Sequence, residues 1–125
     1  MTTKVHTEKA PKAIGPYSQG MICGNLVFTS GQIALDAETG VLMGENITEQ
    51  THKVCKNLSE ILSSAGSSLE RVVKTTCYLA DMNDFAEFNK VYAEYFISCP
   101  ARSCVAVKAL PKGALVEVEV IAELN

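Results

Sequence analysis

Hydrophobic and polar positions alternate with two different periods along this chain, and the change of period divides it into elements. From Leu115 to Leu124, one side carries Val116, Val118, Val120, Ala122 and Leu124. The other carries Leu115, Glu117, Glu119, Ile121 and Glu123. That period of two is the signature of a strand. Val72–Ala80 is rich in β-branched residues and predicts a central strand. Arg102–Ala109 predicts a further strand, read as buried. Met21–Cys23 and Leu26–Ser30 flank Gly24-Asn25 and predict a hairpin, because Gly and Asn tolerate the positive φ of tight turns. Lys4–Thr7 predicts a short edge strand. A turn over Asp36–Gly40 leads to a short strand near Val41.

Two segments switch to helical spacing. Val54, Leu58, Ile61, Leu62 and Ala65 form one stripe, with Asn46 or Thr48 as N-cap and Gly66 as terminator. Phe85, Phe88, Tyr92 and Phe96 form the second, with Asn83 or Asp84 as cap and Pro100 beyond its end. The predicted order is β-β-β-α-β-α-β-β, without linker, repeat or low-complexity tract, so residues 1–125 are expected to form one domain. Two helices over one face of a mixed sheet define an α+β fold. The helices cover one face only, and the other is predicted to be mixed apolar and acidic. Such a face is either an ordinary solvated surface or the seam of a homo-oligomer with closed symmetry, and its apolar content favours the oligomer.

Composition narrows the function. Hydrophobic residues make up 47% of the chain and charged residues 20%, which excludes intrinsic disorder. The net charge of −3, with no basic cluster, argues against nucleic acid as the partner. Apolar runs are of strand length, so no membrane span is expected. The N-terminus lacks the apolar core of a signal peptide, which makes the cytoplasm the expected compartment. Cys23, Cys55, Cys77, Cys99 and Cys104 include no CxxC pair, and His6 and His52 stand apart from them. Reduced thiols and no metal site are expected.

The chemically telling residues are charges placed in apolar strands, where they require a partner or a ligand. Arg102 presents a planar fork suited to a carboxylate. It either clamps a substrate carboxylate or bridges to Glu117 or Glu119. Glu117 either orients and activates a water, if its surroundings tune its pKa, or is a solvated strand glutamate. Cys104 alternates to the side of Arg102 and, lacking a histidine partner, reads as a thiol lining a pocket. Tyr17 lies in the Pro-Gly-rich loop Ala10–Tyr17, as a binding group or a loop-packing aromatic. Ser30-Gly31 ends a strand, where glycine permits close approach of a ligand. Ser30 lacks the context of a hydrolase nucleophile. Asn89 lies beside the aromatic stripe, as a buried polar partner or a ligand donor.

Several of these residues fall within motifs that occur in a fixed order: Ala13-Ile14-Gly15-Pro16-Tyr17-Ser18-Gln19-Gly20, Thr29-Ser30-Gly31-Gln32, Val73-Lys74-Thr75-Thr76, Asp84-Phe85 to Asn89, Pro100-Ala101-Arg102-Ser103-Cys104-Val105, Leu110-Pro111-Lys112-Gly113 and Val116-Glu117-Val118-Glu119. Over nearly its whole length the chain resembles the RidA/YjgF family of reactive-intermediate (enamine/imine) deaminases. The resemblance implies a subunit like that of trimeric chorismate mutase, assembled as a homotrimer around a central barrel, with ligand sites in clefts between subunits. It implies hydrolysis of 2-aminoacrylate and 2-aminocrotonate, or their imines, to 2-oxo acids and ammonia, without metal or organic cofactor. Arg102 would bind the substrate carboxylate and Glu117 would hold the attacking water. Backbone groups at Gly31 and Cys104 would contact substrate, and Tyr17, Ser30 and Asn89 would line the pocket. Three departures stand out: a shorter segment from Tyr95 to Pro100, Cys99 where phenylalanine is common, and Val118 where isoleucine or methionine is frequent. Glu119 shares the face of Glu117 and is the competing carboxylate. A ligand-sensing or protein-interaction module of the same family is the alternative function, and chorismate mutase a weaker one.

Overall fold

The computed structural model describes residues 1–125. Its centre is one six-stranded sheet in the order β1-β2-β3-β6-β4-β5. The strands are β1 (Thr2–Val5), β2 (Gly20–Cys23), β3 (Leu26–Thr29), β4 (Val72–Leu79), β5 (Ala101–Ala106) and β6 (Val116–Glu123). All pairings are antiparallel except β4–β5, which is parallel. The helix α2 (Phe85–Tyr95) makes that crossover, as a parallel pair requires. The mixed α+β architecture expected from the periodicity is therefore present. The element near Val41 is only an isolated bridge, Leu35 to Leu42. No helix is long and apolar enough to cross a membrane.

Helix α1 (Ile47–Ala65) starts where Asn46 accepts a hydrogen bond from the Glu49 N–H at 2.9 Å. It ends at Gly66, whose φ of 84° is readily available only to glycine. Helix α2 is entered differently from expectation. Asp81 caps a short 3-10 turn, Met82–Asp84, by accepting from the Asn83 N–H, and Asp84 accepts no cap hydrogen bond. Both helices cover one sheet face. Val116, Val118, Val120 and Ala122 of β6 are buried there with Thr75, Cys77 and Leu79 of β4 and Leu58, Ile61, Leu62, Phe88 and Phe96 of the helical layer. Each such large apolar side chain contributes about 1.5–3 kcal/mol by leaving water.

The buried strand expected at Arg102 is instead the sheet edge. β5 has one neighbour, and none of its residues is buried. Only β4 pairs with it, so its side chains lack a strand on the other side to bury them. The uncovered sheet face carries Phe28, Ile121, Tyr78, Glu117, Glu119 and Val105, none of them buried. It is the mixed apolar and acidic face read from β6.

Candidate active site

Glu117 is built into place by two chain segments. After β3, residues 30–33 return to β6, where Gln32 and Val118 exchange backbone hydrogen bonds of 2.9 and 3.1 Å. This brings Gly31 against the Glu117 side chain. A Cβ at position 31 would clash with Glu117 Oε2 and lie 2.8 Å from its Cδ, so glycine is needed for the carboxylate to sit where it does. Asn57 pins the following loop by donating to the carbonyls of Ile33 and Leu35, at 3.3 and 3.0 Å.

Glu117 lines a cavity of about 250 Å³ together with Tyr17, Gly31, Ile33, Pro111 and others. It is half-buried and has neither a hydrogen-bond nor an ionic partner. Burial first, and the Glu119 charge second, hold its pKa above the usual carboxylate range. Glu119 differs. Its Oε1 accepts a hydrogen bond from the Tyr78 hydroxyl at 2.9 Å. Of the two carboxylates, Glu117 is the one free to meet a water or ligand in this cavity.

The roof of the cavity is the Pro-Gly-rich loop. Gln19 holds it down: its Nε2 donates to the carbonyls of Thr7, Ala10 and Pro11, and its Oε1 accepts from the Thr7 N–H at 2.7 Å. Tyr17 projects from that loop, half-exposed, into the same cavity. Ser30 does not join it. Its hydroxyl donates to the Ser18 carbonyl at 2.6 Å, and it lines a separate shallow hollow with Phe28 and Met21.

Arg102 belongs to another cavity, of about 560 Å³, with Asn89, Tyr92, Phe96, Ile97, Cys99 and Pro100. The bridge to Glu117 or Glu119 does not form. Arg102 Nη1 donates to Asn89 Oδ1 at 2.7 Å. The guanidinium lies over the Tyr92 ring at 4.8 Å and the Phe85 ring at 5.5 Å. Tyr92 is fixed in turn by its hydroxyl against Thr75 Oγ1, at 2.8 Å. The result is a cation pre-oriented on an aromatic platform, with its remaining N–H groups unengaged. Cys104 lies on the same face. Burial raises its thiol pKa despite the nearby Arg102 charge, so it is not activated as a nucleophile. Cys77 beside it is pushed up to about 12, mainly by burial. All five cysteines are free. Cys99 adopts φ 52° in the turn after α2 and forms part of the cavity wall.

The site residues read from the sequence thus fall into two groups within one subunit. Tyr17, Gly31 and Glu117 share a cavity; Arg102 and Asn89 share another, with Cys104 near them. Sequence reasoning missed the Tyr92–Phe85 platform and the two amide latches. Asn57 left a legible sign, a polar residue at helical spacing from Val54 and Ile61. Gln19 left none beyond its motif. No three His, Cys, Asp or Glu side chains converge as metal ligands.

Comparison with known proteins places this geometry. The family model described as Endoribonuclease L-PSP matches residues 7–124. A RutC family protein of Pyrococcus abyssi is 55% identical, over 94% of both chains. A mouse protein named 2-iminobutanoate/2-iminopropanoate deaminase is 48% identical, over 94% of this chain and 88% of its own. The crystal structure of E. coli TdcF with bound serine superimposes with a TM-score of 0.92 at 39% identity, covering 98% of this chain and 99% of that one. With the match running through every motif that builds both cavities, the chain belongs to the RidA/YjgF family.

Proposed function

We propose that this protein hydrolyses small 2-imino acids, and the 2-enamino acids that tautomerise to them, to 2-oxo acids and ammonia. 2-Aminoacrylate would give pyruvate, and 2-aminocrotonate 2-oxobutanoate. Both are released by pyridoxal-phosphate dehydratases acting on serine and threonine, and their removal in the cytoplasm would protect such enzymes. The observation that carries the reading is Glu117: a half-buried, unpartnered carboxylate in a cavity, with its pKa held above the ordinary carboxylate value by burial. The name of the mouse relative and the serine bound to TdcF support the same substrate class.

In the proposed step, Arg102 holds the substrate carboxylate through a bidentate pair. Glu117 accepts a proton from water as the water oxygen bonds to C2, and passes it to the imine nitrogen, which regenerates the carboxylate. The tetrahedral carbinolamine then collapses. The C–N bond breaks, the hydroxyl becomes the 2-oxo group, and its proton leaves with ammonia. Backbone groups at Gly31 and Cys104 contact the substrate, and Tyr17 and Asn89 line the pocket. Ser30 contributes by fixing the backbone beside Gly31. An imine is a far better electrophile than an amide, so orientation of substrate and water supplies much of the acceleration.

Because Arg102 and Glu117 occupy separate cavities of one subunit, the working site needs a second copy. We propose a homotrimer in which the open sheet faces meet and Arg102 of one copy approaches Glu117 of the next. A ligand-sensing module would need the clamp but has no use for an unpartnered carboxylate.

The test is a coupled assay. A serine or threonine dehydratase generates the enamine, and its decay is followed with and without this protein. Acceleration that is lost in Glu117→Gln supports the proposal. An unchanged decay rate with the native protein sinks it.

A further inference from the structure

We propose that Tyr78 is a positioning residue for the deamination, holding the second carboxylate of β6, Glu119, away from the Glu117 cavity so that one carboxylate alone handles the water. This rests on the reading that Glu117 is the water-handling group.

Glu117 and Glu119 are two residues apart on β6 and point to the same open face. Strand geometry puts their Cβ atoms about 7 Å apart, within reach of one water for two glutamate side chains. Left alone, they would compete for it and repel one another. The register prevents this. Tyr78 of β4 stands directly beside Glu117, and Thr76 beside Glu119. The phenol extends diagonally past Glu117 and donates to Glu119 Oε1 at 2.9 Å. A phenol–carboxylate bond is charge-assisted and fixes the acceptor. Glu119 and Tyr78 do not line the Glu117 cavity. The hydrogen bond to Glu119 is also the first cause of the raised pKa of Tyr78 itself, which keeps the phenol a donor.

The other charged or titratable groups around Glu117 come from different elements. Lys12 and Tyr17 lie on the loop above it, and Lys112 on the turn before β6, with its Nζ donating to the Gly40 carbonyl at 3.1 Å. The segment around Gly31 and Gln32 brings no ionisable side chain. Glu119 is the one other carboxylate that sets the charge near Glu117, after burial. Fixing Glu119 therefore fixes one charge that acts on Glu117, beside burial and the Arg102 that the proposed assembly brings from the next copy.

The experiment compares the native protein with Tyr78→Phe, Glu119→Gln and the double variant. It reads kcat/KM against pH, and the titration of the Glu117 carboxylate by NMR. Tyr78→Phe is expected to move both the acidic limb and the titration to higher pH, because the released Glu119 charge comes nearer. Glu119→Gln should move both to lower pH. Adding Tyr78→Phe to Glu119→Gln should change nothing further, since the phenol acts through that carboxylate. An unmoved titration in Tyr78→Phe overturns the proposal. So does an equal shift in the Glu119→Gln background. Native protein without deaminase activity but with these shifts would refute the proposed function while leaving the coupling intact. An active protein without the shifts would refute the coupling alone.

Discussion

Arg102 and Glu117 stand on opposite faces of the same sheet. Across β4–β5, Arg102 is level with Thr75, which is buried beneath α2; across β4–β6, Glu117 is level with Tyr78 on the open face. Residues 75 and 78 are separated by an odd number of positions, so their side chains diverge. The two charges therefore do not meet within one subunit, and in the proposed trimer they would meet between copies of the chain.

This separation makes a complementation test decisive. Arg102→Ala and Glu117→Gln should each be inactive alone. When the two are unfolded together and reassembled as mixed oligomers, some sites pair an intact arginine with an intact glutamate. Random assembly predicts recovery of roughly a quarter of native activity per site. No recovery would mean that one subunit supplies both groups.

The clamp should be sensitive to its platform as well as its charge. Arg102→Ala is expected to lower kcat/KM by roughly 30- to 1000-fold, about 2–4 kcal/mol for a charge-assisted pair that loses one partner. Asn89→Ala removes the 2.7 Å bond that aims the guanidinium. It should cost about ten-fold, mostly in KM. Steady-state kinetics on enzymatically generated imine reads both effects.

Gly31→Ala tests close approach without backbone strain. The added methyl would clash with Glu117 Oε2, so the carboxylate must swing away while the fold is kept. A fall in kcat with an unchanged melting temperature is expected. Retained full activity would show that the carboxylate position is not critical.

Stability should carry the mark of Glu117. Its folded pKa lies above the ordinary carboxylate value, so the folded state holds the proton more tightly than the unfolded one. Its contribution is therefore fully present below the unfolded pKa and is lost as pH rises through the folded pKa. Glu117→Gln removes that loss, and should melt higher than the native protein at neutral pH but not at pH 3. Thermal melts across this range check the sign.

Gln19→Ala removes a buried side chain that ties three carbonyls and one N–H of the roof loop. A loss of about 1–3 kcal/mol is expected from the groups left unpaired. Denaturant melts measure it, and protease cleavage within residues 8–17 should accelerate.

The alternation in β6, the stripe of α1 and the glycine that ends it were legible because each depends on residues close in sequence. Side-chain period and φ preference are local properties, and they sufficed for the order of elements and for the acidic open face. The ordered motifs sufficed for the family. What the sequence could not determine depends on which strands become neighbours. β5 reads as core by composition, yet it lies at an edge because only β4 pairs with it. Glu117 and Glu119 are equivalent by alternation. They differ because Gly31 and its cavity receive Glu117, while Tyr78, some forty residues away, reaches Glu119. Arg102 faces Asn89 and Tyr92 rather than Glu117 because the parallel β4–β5 register turns it toward α2. Local periodicity fixes which side of a strand a charge occupies, and long-range register decides what it meets there.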